Sequence, residues 1–194
     1  MKNQAKEIVD ISKYLYQKNL VSGKSGNISS RFKGEDGDII AITPTLASLD
    51  SLEEKDVILV DSDGNCLTKG IPSSEVHLHL SIYKKRDDVN GIVHTHSPYV
   101  TGFAFTDKKI KRHDRFGKMS SPYYRELEYE APGTKKLADK ASEAIEDDFV
   151  LVLKDHGLIS VADSLKEAAE ISEFVEGLAK TQFISHMLHL SEKF

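Results

Sequence analysis

The stretch PSSEVHLHLSIYKKRDDVNGIVHTHS, residues 72–97, decides how this chain is read. Pro72-Ser73-Ser74 opens a helix of about 12 residues that runs through Tyr83, with serine as the N-cap and Glu75 in the first turn, where a carboxylate favours the helix dipole. Asn90-Gly91-Ile92-Val93-His94-Thr95-His96 reads as a strand, bounded by Gly91 and Pro98. A strand has a side-chain period of two, so His94 and His96 share one face, with Cβ atoms roughly 6.5–7 Å apart. Two imidazoles at that separation reach one ion.

Working outward, Ile8, Val9, Ser12, Leu15 and Tyr16 recur at helical spacing and predict an amphipathic helix over 3–19. After Gly23 and Gly26, strands are predicted at 27–32, 38–43 and 57–60, with Asp63-Gly64 turning the last back through 65–68. Beyond the quoted stretch a helix covers 98–105 and a polar stretch to 130 carries no clear period. Another helix covers 134–146. Phe149–Lys154 is a nearly continuous apolar run and reads as a buried strand, with Gly157–Ala162 beside it. Ser164 and Glu167 form a capping box that opens a helix to about residue 189. The interleaving of helices, strands and hairpins makes the class α/β with a mixed, largely antiparallel sheet in one domain over 1–194.

Composition narrows the function. Lys and Arg total 26 against 31 Asp and Glu, a net charge of −5, so the basic excess of a nucleic-acid binder is missing. No run of about 18 apolar residues is present to span a membrane. MKNQAKEIVD has no apolar signal region, which points to the cytoplasm. A lone cysteine, Cys66, excludes an internal disulfide and a cysteine-rich zinc site. The eight histidines remain. His156 follows the 149–154 strand directly and is a third candidate ligand beside His94 and His96. Three neutral imidazoles leave a divalent cation its full charge and an open position, as catalysis requires. His77, His79, His113, His186 and His189 show no comparable arrangement and read as structural or surface residues. Glu75 and His79, four apart on one helix face, are spaced for a local hydrogen bond.

GNISSR (26–31), ITPT (42–45), the 72–97 stretch and DHGLI (155–159) together resemble the class II aldolase/adducin family, from about residue 5 to residue 180. The resemblance implies a three-layer α/β/α fold and Zn2+ held by His94, His96 and His156 with Glu75, one ion per chain, although such ligands accept other divalent ions. It implies that Glu75 also acts as acid and base, while Gly26, Asn27, Thr43, Thr45, Ser73 and Ser74 seat a phosphate, with Lys24 or Arg31 adding charge. The implied enzyme is a carbon–carbon lyase that cleaves a small sugar phosphate, of the fuculose 1-phosphate kind, to dihydroxyacetone phosphate and an aldehyde through a metal-stabilised enediolate. Decarboxylation of a 3-oxo sugar-acid phosphate is the alternative, followed by 4-epimerisation and then by a non-catalytic adducin-like module. The implied partner is a phosphorylated sugar or sugar acid, and the implied assembly is a homotetramer.

Three positions depart from the family pattern. Leu46 stands where glycine is usual, and Lys24 where a small hydroxyl residue is common. Arg115 or Phe116 falls where a proton-donating tyrosine is found, and no motif fixes Tyr123 or Tyr124 in that role. A missing tyrosine favours decarboxylation, which needs no alkoxide protonated.

Overall fold

The computed structural model describes residues 2–35, 37–112 and 121–191. Within them the chain forms helix α1 (Lys2–Gln17), strands β1 (Asn27–Lys33), β2 (Asp38–Ile42) and β3 (Ile58–Asp61), helix α2 (Val76–Lys85), strand β4 (Gly91–Thr95) and helix α3 (Pro98–Ala104). Strand β5 (Arg125–Leu127), helix α4 (Lys135–Ala144), strands β6 (Val150–Leu153) and β7 (Gly157–Ala162) and helix α5 (Leu165–Ser191) complete it. The strands make a seven-stranded sheet in the order β3-β2-β1-β4-β7-β6-β5. Every pair is antiparallel except β5 with β6, which is parallel.

Alternation along the strands creates the layers. Ala41, Leu59, Val93, Val150, Val152 and Leu158 pack with α1, α3 and α5 on one face. Their neighbours Ile40, Ile42, Ile58, Val60, Ile92, Leu151, Leu153, Ile159 and Val161 pack with α2 and α4 on the other. Both faces of the sheet are thus covered by apolar helix stripes, and the architecture is the expected three-layer α/β/α.

The structure departs from the expected elements at three points. β5 lies in the stretch that showed no period; three half-buried residues give too short a pattern to detect, and β6 supplies the pairing. The return after Asp63-Gly64 makes a bridge from Val60 to Cys66 and a Leu67 N–H bond to the Leu59 carbonyl, but no strand. Glu75 is not in the first turn of α2: the helix starts at Val76 and Glu75 is its N-cap, with a side chain that makes no cap bond.

The start of β4 is pressed against the start of α5. A Cβ on Gly91 would lie 2.3 Å from the Leu165 backbone nitrogen and 2.4 Å from its Cα, so neither element leaves room for a methyl group. Gly91→Ala is expected to cost about 3 kcal/mol, a fall of roughly 6–12 °C in Tm for a chain of this size. Thermal unfolding checks this, and an unchanged Tm would show that β4 and α5 can separate freely.

Candidate metal centre and active site

Sheet order brings the candidate residues together. β1, β4 and β7 are neighbours, and Asn27 pairs directly with His94, which in turn pairs with Ile159. His94 shares the parity of Ile92, so its ring faces the α2 layer, where Glu75 ends the approach to α2. His96 lies one residue past the end of β4, and His156 lies in the turn between β6 and β7. That turn is tight: the His156 N–H donates to the Leu153 carbonyl, and Asp155 takes a left-handed φ of 54° while its N–H donates to the Ala104 carbonyl at 3.1 Å.

Glycine sets how closely the two segments approach. A Cβ on Gly157 would sit 2.4 Å from the Thr95 carbonyl oxygen, so only a residue without a side chain lets the His156 turn reach the end of β4. Gly26, at φ 80°, likewise would place a Cβ 2.8 Å from the His94 carbonyl oxygen. Behind His96, the Glu176 carboxylate on α5 accepts the Tyr99 and Val100 N–H groups at 2.9 Å each, which anchors the first turn of α3.

The three imidazoles converge with ring centroids 4.7, 4.7 and 4.9 Å apart, and one ring nitrogen of each lies within 4.8 Å of the others. His94 Nδ1 donates to the Leu158 carbonyl at 2.9 Å, which leaves Nε2 as the nitrogen that can ligate an ion. That Nε2 faces Glu75 Oε2 at 3.2 Å and His96 Nε2 at 2.9 Å. A cation placed among these three atoms would satisfy all of them. Glu75 Oε1, 3.8 Å from His156 Nε2, is buried with no hydrogen-bond partner. Three imidazoles, an adjacent carboxylate and an unsatisfied buried oxygen fit a divalent cation.

The electrostatics agree. Burial pushes the His96 ring down to about 3, helped by His94 and His156, and lowers His156 to about 4, so both are neutral and able to ligate at pH 7. Burial alone would raise the Glu75 carboxyl, but His94 beside it, the bond from Asn27, His156 and His79 outweigh burial and hold it at about 2. His79, fully buried, is driven to about 3.

The residues expected around a phosphate adjoin Glu75. The Ile28 N–H donates to Thr43 Oγ1, the Ser73 N–H to the Thr43 carbonyl, the Thr45 N–H to the Ile71 carbonyl, and the Glu75 N–H to Ser73 Oγ. Thr43 is fully buried, and the Asn27 amide is divided between Glu75 and His79. Ser74 is exposed and Thr45 half-buried. Leu46 is 73% exposed and holds φ 55°, a backbone strain that the family's glycine avoids. Arg31 adds no charge there: its guanidinium donates to the Tyr83, Arg86, Asp87 and Val89 carbonyls and to Asn90, closing the end of α2. His113, Arg115 and Phe116 lie outside the described residues. The link from Glu75 to His79 runs through Asn27, not through the direct bond their spacing allows.

Comparisons with known proteins give the family. The family described as class II aldolase and adducin N-terminal domain matches residues 6–183. The chain belongs to that family. It is 37% identical to the L-fuculose phosphate aldolase of Methanococcus maripaludis over 94% of this chain and 97% of that protein. It is 34% identical to the 5-deoxy-D-ribulose 1-phosphate aldolase of Bacillus thuringiensis over 94% of this chain and 85% of that one. A solved L-fuculose 1-phosphate aldolase superposes with a TM-score of 0.83 at 29% identity, covering 96% of this chain and 87% of the other. No helix among the described residues is long and apolar enough to cross a membrane.

Two outcomes test the site. His96→Ala should lower bound divalent metal from about one equivalent toward none after dialysis, since two imidazoles hold an ion poorly. Elemental analysis reads this, and full retention would remove His96 as a ligand. The metal-free protein should lose stability below pH 6.5. The unfolded chain then takes up protons that the buried rings refuse, at up to about 1.4 kcal/mol per pH unit for His79. Urea midpoints at pH 7, 6 and 5 measure the slope, and a flat profile would contradict a neutral buried His79.

Proposed function

We propose that this protein is a zinc-dependent aldolase that cleaves a ketose 1-phosphate of the fuculose 1-phosphate kind to dihydroxyacetone phosphate and an aldehyde. The observation that carries the reading is the convergence of His94, His96 and His156 beside the buried carboxylate of Glu75. The names of the relatives at 37% and 34% identity support the substrate class.

The residues divide the work as follows. His94, His96 and His156 hold the ion, which supplies the electrophile for the negative charge that develops when the carbon–carbon bond breaks. Glu75, ionised at rest, takes up the proton released from the hydroxyl that becomes the aldehyde and delivers it to the carbon of the departing three-carbon fragment, and Oε1, which has no donor of its own, is the oxygen that carries it. Thr45, Ser74, the Ser73 hydroxyl and the backbone at Gly26 receive the phosphate, whose charge suits the approach to α2. Asn27 and Thr43 support that seat from beneath, Asn27 by holding Glu75 beside it and Thr43 by accepting the Ile28 and Ser73 N–H groups. Among the described residues Tyr123 is 41% exposed while Tyr124 is buried with an unpartnered hydroxyl.

The same reading makes the protein a cytoplasmic homotetramer. Phe183, Ile184, Met187, Leu188 and Leu190 on the far half of α5 are exposed apolar side chains, which supports self-association.

Incubating the zinc-loaded protein with ketose 1-phosphates should release dihydroxyacetone phosphate, and Glu75→Gln should lower turnover by about 10²–10⁴-fold with metal retained. Carbon dioxide from a 3-oxo sugar-acid phosphate, with no cleavage of the ketose phosphates, would replace the aldolase reading by the decarboxylase.

A further inference from the structure

A chain of hydrogen bonds runs inward from Glu75 through Asn27 to residues that the proposed reaction does not use. Asn27 Nδ2 donates to Glu75 Oε2 at 2.8 Å, Asn27 Oδ1 lies 2.7 Å from His79 Nε2, and His79 Nδ1 lies 2.6 Å from Ser29 Oγ. Ser29 Oγ is 2.8 Å from the Tyr83 hydroxyl, which also reaches the Ser29 carbonyl at 3.0 Å. Asn27, Ser29, His79 and Tyr83 are all buried, His79 and Ser29 completely.

The direction of every bond follows from its outer end. An ionised carboxylate can only accept, so Asn27 must turn its NH2 to Glu75 and its carbonyl to His79. That carbonyl in turn demands a hydrogen on His79 Nε2, which leaves Nδ1 as an acceptor for the Ser29 hydroxyl. Ser29 Oγ then turns a lone pair to the Tyr83 hydroxyl, whose single hydrogen it shares with the Ser29 carbonyl. With the other ring tautomer, Nε2 would face the Asn27 carbonyl as two acceptors. Asn27 would then have to flip and set its oxygen against the Glu75 carboxylate.

We propose that His79 is a positioning residue: through Asn27 it fixes Oε2 of Glu75 as the bonded oxygen and keeps Oε1 as the free one that carries the proton. This rests on Glu75 being the proton carrier. It also assigns the Asn27 side chain to Glu75 and leaves the phosphate to neighbouring donors. Ser29 and Tyr83 hold the ring from behind, and alternation in β1 places Asn27 and Ser29 on the one face that meets α2.

Two measurements test it. In the zinc-loaded wild-type protein with ¹⁵N-labelled histidine, NMR should find His79 with its hydrogen on Nε2; a hydrogen on Nδ1 overturns the proposal, and this result needs no variant to fold. The second measurement is exchange of the carbon-bound proton of dihydroxyacetone phosphate with deuterium oxide. His79→Leu should slow it about 10–100-fold with zinc retained and the half-saturating concentration changed less than about 3-fold. His79→Gln, whose amide reaches the Nε2 position and donates to Asn27, should recover to within about 5-fold of wild type. Wild-type exchange in His79→Leu, or equal impairment in both variants, would show that the ring merely fills space. A wild-type protein that exchanges nothing, yet has the Nε2 hydrogen, would instead remove Glu75 as proton carrier while leaving the bond order intact.

Discussion

Glu75 is an ionised carboxylate with 6% of its surface exposed, and such a charge is tolerated only where partners replace the lost water. One oxygen is answered by the Asn27 amide and faces His94. The other is unanswered, beside His156. The His96 and His156 rings beside it are held neutral, chiefly by burial. The site is therefore half of an ionic arrangement built ahead of its cation, and the packing of three strands and one helix start exists to keep it so.

Topology makes that arrangement possible. β1, β4 and β7 lie side by side, so residues distant in sequence meet at one end of the sheet, and strand parity decides which of them face α2. A shift of one residue in β4 would turn His94 toward α1 and α5. The antiparallel registers on both sides of β4 oppose such a slip.

Much of this was legible in the sequence. Long amphipathic helices and apolar strands announced themselves by period, and His94 and His96 by their two-residue spacing. What stayed hidden depended on contacts across the fold. β5 is too short to show a pattern and exists because β6 pairs with it. Glu75 looks like a first-turn carboxylate, but the neighbouring imidazoles draw its side chain away from the helix it precedes. Arg31 looks like a free charge beside a phosphate site, yet carbonyls at the end of α2 claim it. His79 was indistinguishable from an ordinary core histidine, because nothing local reveals that Asn27 joins it to Glu75.

Gly157 carries a broader consequence. Because its missing side chain lets the β6–β7 turn touch the Thr95 carbonyl, main-chain contact sets the gap between two of the three imidazoles. The gripping geometry is thus insulated from remodelling of the outer helices, and the pocket walls can diversify toward new sugars while the claw that holds the ion keeps its span.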